Sequence, residues 1–271
     1  MEYQVSGGTI AVLIFNLIMG LVIPIGMFIY LNRKKKLSGK PFIIGWLGFL
    51  VGVMLLERGF HLLVSNSPIG TALNSNLFLY ALYGGIAAGL FEELTRYFCF
   101  KRFLKDQLEE DETALMYGAG HGGCEMFNIW TVAMVSNLVY ALTLKSQGMA
   151  ALTAGLEGEN LAAMESMAAQ LCGTSPWVFL LSLAERLFAI VLQISLSILV
   201  FYAVKNPEKD RKLLLIAVEL HALVDFISAI AAQTLPVAVT ELIIGAMALF
   251  AAWFAKRIWN QNNAEVTEAG M

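Results

Sequence analysis

The chain has 271 residues, 58% of them hydrophobic and 14% charged, with a formal net charge of −3 and a mean hydropathy of +0.68. That balance belongs to a polytopic membrane protein and excludes a soluble globule. The near-neutral charge leaves no electrostatic footprint for a nucleic acid. The three cysteines, Cys99, Cys124 and Cys172, are odd in number and far apart, which argues against a disulfide framework.

A membrane-crossing helix needs about 20 mostly apolar residues. Seven such spans are expected: Gly8–Leu31, Pro41–Val64, Leu77–Leu104, Thr113–Leu144, Pro176–Val204, Lys212–Ala232 and Pro236–Trp259. The first is a span and not a cleavable signal. Met1-Glu-Tyr-Gln-Val has no basic n-region, and the apolar run from Ile10 to Leu31 is too long for an h-region. The fourth is long enough to tilt, kink or extend beyond the bilayer. The fold class is therefore all-α, a polytopic transmembrane bundle of about seven or eight helices. One helical domain is expected over 1–260 with its core at 77–232, followed by a polar, disordered tail over 261–271.

Charge orients the spans. Arg33, Lys34, Lys35, Lys36 and Lys40 follow span one; Lys101, Arg102 and Lys105 follow span three. Lys205, Lys209, Arg211 and Lys212 follow span five, and Lys256 and Arg257 end span seven. The opposite loops hold little beyond Lys145, so the N-terminus is expected outside and the C-terminus in the cytoplasm. The long loop 145–175 is then external, with a helical stretch over 158–171. The acidic run Asp106–Glu112 reads as a solvated turn.

Ionisable side chains are costly in a bilayer and mark candidate sites. Span three carries Phe91-Glu-Glu-Leu-Thr-Arg-Tyr97, span four Gly118-Ala-Gly-His-Gly-Gly-Cys-Glu125, and span six His221-Ala-Leu-Val-Asp225. At 1.5 Å per residue, Glu92 and Glu93 lie roughly 12–14 Å below the cytoplasmic surface. His121 and Glu125 lie about 12 and 18 Å deep, and His221 and Asp225 about 14 and 20 Å. All three groups thus fall in the cytoplasmic half, where a site would open toward that side. Glu57 and His61 lie about 24–30 Å from the inner surface. With Arg58, Glu185 and Arg186 they read as an outer cluster locking helices together, His61 being a hydrogen-bonding residue and not a ligand.

The spacing carries chemistry. His121 and Glu125 are four residues apart, as are His221 and Asp225, so each pair shares a helix face. His-x-x-x-carboxylate supplies two metal ligands, or a base and its orienting partner. Arg96 can hold one carboxylate of Glu92-Glu93 ionised while the other faces the centre. Two imidazoles with Glu125 or Asp225 suit a divalent metal such as Zn²⁺, with a further Glu taking a proton from water. A metal-free version has Glu92 and His121 activate water while His221 and Asp225 stabilise the oxyanion. The glycines around His121 permit close backbone approach or local unwinding, and packing explains them equally well.

Glu92-Glu93-x-x-Arg96, a glycine-rich segment containing His121, and His221-x-x-x-Asp225 together resemble the CAAX-protease and bacteriocin-processing superfamily of intramembrane proteases. More narrowly, Glu92-Glu-Leu-Thr-Arg-Tyr97 with Gly120-His-Gly-Gly-Cys-Glu125 is similar to the YhfC branch of predicted intramembrane metalloproteases. The resemblance covers about Phe91 to Phe226. It implies a water-activating role for Glu92, with Glu93 beside it, Arg96 as supporting cation, His121 as the second-motif histidine and His221 with Asp225 as the final motif. The chain departs in three ways: Arg96 comes one residue earlier than in Glu-Glu-x-x-x-Arg, Asp225 stands where Asn is usual, and Glu125 is an added acid. An acid at 225 favours a metal ligand or base over a neutral oxyanion donor.

The expectation is an intramembrane endopeptidase, metal-dependent, acting on a membrane or membrane-proximal peptide, integral to a bacterial plasma membrane. Its partners are the lipid bilayer and that substrate, with no nucleic acid. The alternatives are a secondary transporter or ion-binding carrier, since buried His and carboxylates also relay protons and bind cations, and a non-catalytic protease-derived scaffold. No internal repeat supports the carrier.

Overall fold

In a computed structural model of the chain, residues 4–34 and 36–269 are described, the side chains of 34 and 265–269 excepted. Lys35 of the basic run therefore lies outside the described residues. Among the described residues seven helices are long and apolar enough to cross a membrane: Gly7–Arg33, Lys40–Ser65, Leu77–Phe103, Thr113–Gln147, Pro176–Lys205, Lys212–Thr234 and Val237–Ala264. Every regular element among the described residues is helical.

The first helix, α1, covers Gly7–Lys34. The second crossing is α2 (Lys40–Phe49), a π-helical stretch (Leu50–Glu57) and α3 (Arg58–Ser65), followed by the short α4 (Pro68–Asn74). Next come α5 (Leu77–Phe103) and α6 (Thr113–Glu125), the latter running through a second π stretch (Met126–Thr131) into α7 (Val132–Gln147). The connecting segment holds α8 (Met149–Thr153) and α9 (Gly158–Gly173), matching the helical stretch expected over 158–171. The chain ends with α10 (Pro176–Lys205), α11 (Pro207–Asp210), α12 (Lys212–Thr234) and α13 (Val237–Ala269). π stretches interrupt α-helices at functional positions more often than elsewhere; these two follow the segments that hold Gly45 and His121.

The residues group into two compact units, 1–23 with 126–186 and 24–125 with 187–271, where a single domain is expected from the sequence. In the first, the buried Asn16 amide donates to the Phe179 carbonyl at 2.6 Å, and Trp130 Nε1 donates to Ser182 Oγ at 3.1 Å. Lipid-facing chains such as Ile18 and Val22 stay exposed. That suits a bilayer, where outward apolar surface carries no penalty.

In the second unit α5 packs along α12, and α2 along α6. Small residues allow it. A Cβ at Gly85 or Gly89 would strike the Ala222 or Val218 carbonyl of α12, and one at Gly45 the Tyr117 carbonyl of α6. Close backbone approach through small residues is how membrane helices gain contact where the hydrophobic effect offers little. The core is the 190–203 stretch of α10, with Leu196, Leu199, Phe201 and Tyr202 packed on Phe100 and Tyr117.

Pairs tie the basic ends of this unit together. Lys40 meets Asp106 at 2.8 Å, and its ammonium, hydrogen-bonded there, holds the Asp106 carboxyl below the usual carboxylate range. Lys205 meets Asp111 at 2.7 Å, and Asp111 also accepts from Tyr202. The acidic run is therefore partly a tether and not simply a solvated turn, because Asp111 faces the end of α10. Over 261–269, where a polar, disordered tail is expected, α13 stays helical, and residues 270–271 of that tail lie outside the described residues. Polar contacts support the extension, Asn206 donating to Asn262 at 2.9 Å and Asn263 to Asp111 at 3.0 Å.

Candidate functional site

The three polar motifs converge within the second unit. Glu92, Glu93 and Arg96 lie on the buried side of α5, with Glu93 and Arg96 fully buried. His121 comes from α6 and is also fully buried, its ring edge-on to Phe49 at 5.2 Å between centroids. The glycines of α6 are spent on packing. A Cβ at Gly118 would meet the Ile194 Cα at 2.7 Å, one at Gly122 the Gln193 Cβ at 3.2 Å, and one at Gly120 the Phe42 carbonyl. The helix is not unwound there; the missing side chains let α10 and α2 close on the turn that carries His121.

Glu92 is the hub. Its Oε2 lies 2.9 Å from His121 Nε2, and its Oε1 lies 3.9 Å from His221 Nε2. The second imidazole is fixed from behind, Nδ1 lying 2.7 Å from Glu93 Oε1. Glu93 in turn stands 3.4 Å from Arg96 Nε. Arg96 thus steadies Glu93, and Glu92 is the carboxylate turned toward both histidines. Asp225 Oδ2 lies 3.7 Å from His221 Nε2, with its side chain 40% exposed against 3% for His221, so this edge of the site is open.

One central residue escaped the sequence reading. Gln193 of α10 donates from Nε2 to Glu92 Oε2 at 3.1 Å and to Glu125 Oε2 at 2.9 Å. Its Oε1 accepts from Arg96. Arg96 Nη1 also donates to the Gln193 carbonyl at 2.9 Å and to Ser197 Oγ at 3.1 Å. The signal was present as Gln193-x-x-x-Ser197, two polar residues one turn apart in the same span. Glu125 meets the site through Gln193, one hydrogen bond back from the imidazoles.

A second departure concerns Glu57 and His61. Glu57 is buried, and its Oε1 lies 3.2 Å from His61 Nε2. His61 Nδ1 is 2.6 Å from the Tyr83 hydroxyl. These three residues line a cavity of about 500 Å³ whose wall also includes Asp225. Glu57 and His61 therefore share a cavity with Asp225, which a count of axial depth cannot tell. The cavity continues to Ser65, Gly70 and Asn74, in the connection between α3 and α5. Lys40, Lys101 and Lys212 stand at the other ends of α2, α5 and α12 from this connection. Glu185 pairs with its neighbour Arg186.

The donor set suits a divalent metal. Among the described residues no group of three or more His, Cys, Asp or Glu is already drawn into a metal cage. Yet His121 Nε2 and His221 Nε2 lie 2.9 and 3.9 Å from the two Glu92 oxygens, and Asp225 Oδ2 lies 3.7 Å from His221 Nε2. Imidazole nitrogens and carboxylate oxygens are the donor types that hold a divalent ion such as zinc. A carboxylate on the far nitrogen of a ligating histidine is the usual support, and Glu93 is so placed on His221.

Comparison with known proteins points the same way. A family model described as YhfC intramembrane metalloprotease matches residues 19–257. The uncharacterized membrane protein YhfC of Bacillus subtilis (strain 168) is 37% identical over 204 residues, which cover 74% of this chain and 77% of that protein. No solved structure matches.

Proposed function

The chain belongs to the YhfC intramembrane metalloprotease family, and from that premise we propose that it is a metal-dependent intramembrane endopeptidase. Its substrate would be a membrane or membrane-proximal peptide, and Glu92 the group that takes a proton from the attacking water. The observation that carries this reading is the placement of the Glu92 carboxylate between two imidazole Nε2 atoms, at 2.9 and 3.9 Å.

Each side chain has a task in this scheme. His121, His221 and Asp225 would hold the metal, the two-histidine, one-carboxylate set that leaves a position for water or substrate. Once bound, the ion would polarise the scissile carbonyl and acidify water. Glu92 accepts the proton and returns it to the leaving amine, the general-base and general-acid roles that its reach allows. Glu93 accepts from His221 Nδ1 and so directs Nε2 toward the centre. Arg96 sets a guanidinium beside Glu93 at full burial, where a lone carboxylate would be costly. Gln193 fixes the Glu92 carboxylate by donating one N–H to it. The surrounding apolar helices keep bulk water from these charges and strengthen every interaction among them.

The test is cleavage of a transmembrane reporter peptide by purified protein in liposomes. Alanine at Glu92, His121 or His221 should abolish cleavage while leaving the helical circular-dichroism signal and monodispersity intact. Full activity in all three variants would remove the proposal. Substrate-driven proton or cation flux without cleavage would favour a carrier instead.

A further inference from the structure

The cavity beside Asp225 has a chemistry that the hydrolytic scheme leaves unused. It encloses about 500 Å³, within the range of pockets that bury a small ligand or a long side chain. Two carboxylates line it, Glu57 and Asp225, and no Lys or Arg is among its lining residues. Glu57 is only 7% exposed, yet its Oε2 has no hydrogen-bond partner among the described residues. His61 serves Oε1 alone. Tyr83 engages the other imidazole nitrogen, so the imidazole is held in place and unavailable to Oε2. A buried carboxylate oxygen without a donor is costly and calls for a cation. The remaining wall suits the stem of one: aliphatic Leu73 and Val64 pack a methylene chain, and Tyr80 and Tyr83 offer aromatic faces to a cationic head.

We propose that this cavity is a specificity pocket that receives a lysine or arginine side chain of the substrate, with Glu57 as its counter-charge. The proposal rests on the endopeptidase reading for the identity of the occupant. Asp225 belongs both to the pocket and to the His221 motif, so the recognised residue would flank the scissile bond. Gly70 and Asn74, in the connection between α3 and α5, line the same cavity and would flank the bound side chain.

Binding and cleavage test it separately. N-acetyl-arginine amide and its neutral isostere N-acetyl-citrulline amide are titrated calorimetrically into the protein in lipid nanodiscs. The arginine compound should bind on the order of tenfold to a hundredfold more tightly, the worth of one charge-assisted hydrogen-bonded contact. Glu57→Gln should erase that preference. Gly84→Leu should weaken both compounds, because a Cβ at Gly84 meets nothing within 4 Å and the added side chain grows into the cavity. It also controls for misfolding, since it leaves every charged group in place. Equal affinity for the two compounds, binding of neither, or discrimination that survives Glu57→Gln would overturn the pocket. Cleavage sites mapped by mass spectrometry from a degenerate transmembrane peptide library should show Lys or Arg beside the cut bond. Selective arginine binding with no cleavage at all would sink the endopeptidase reading and leave the pocket standing. Cleavage with no charge preference, and equal binding, would do the reverse.

Discussion

Replacing Gln193 with leucine is the sharpest probe of how the site is held together. The side chain is buried and makes three hydrogen bonds, two donated to Glu92 and Glu125 and one accepted from Arg96. Leucine keeps much of the volume and removes all three. Side-chain hydrogen bonds in membrane proteins are worth about 0.6–1.7 kcal/mol each, so the loss should come to about 2–5 kcal/mol. The upper part of that range is expected, since three charged groups lose partners at once and none gains water. Activity should fall about 10–100-fold without vanishing, as for other supporting residues, because Glu92 keeps its 2.9 Å contact with His121. Gln193→Glu should be worse than leucine. It retains an acceptor for Arg96 but sets a third carboxylate against Glu92 and Glu125. The assay is equilibrium unfolding in mixed micelles, read by tryptophan fluorescence, beside reporter cleavage in liposomes. A leucine variant within about 0.5 kcal/mol of the parent and fully active would refute the view that this amide organises the carboxylates.

Two further outcomes follow from packing and topology. Gly120→Ala should lower stability by about 1–3 kcal/mol, the usual cost of overpacking, because its methyl would strike the Phe42 carbonyl and push α6 from α2; thermal unfolding checks it, and an unchanged melting temperature would contradict the close approach. Cys172 on α9 is partly exposed while Cys99 and Cys124 are buried, so a membrane-impermeant maleimide applied to intact cells should label Cys172 alone; labelling only after lysis would reverse the orientation drawn from the basic loops.

Long apolar runs and loop charge were enough to read seven spans from the sequence, since each span must satisfy its own backbone in lipid. The convergence of Glu92, His121 and His221 was also legible. Residues spaced by four share a face, and their axial depths can be counted. What the count could not supply is the direction in which each face points. Glu57-x-x-x-His61 has the same spacing as His221-x-x-x-Asp225, yet its greater depth set it apart, although a cavity of about 500 Å³ reaches both. Gln193 was missed because it carries no charge; its importance comes from standing across from Glu92, Glu125 and Arg96, a tertiary fact. The asparagines of the tail look in the sequence like a solvated end, whereas Asn262 and Asn263 bond to Asn206 and Asp111 within a helix that runs to Ala269.

The central claim is that His121 and His221 hold a metal at a hydrolytic centre built around Glu92. Elemental analysis of the purified protein by plasma mass spectrometry, on the parent and on His121→Ala and His221→Ala, tests it most directly. The account predicts a divalent transition metal, zinc in the first instance, at stoichiometric level in the parent and lost from both variants. A protein that cleaves its reporter with no such metal, or variants that keep the full metal content, would contradict it.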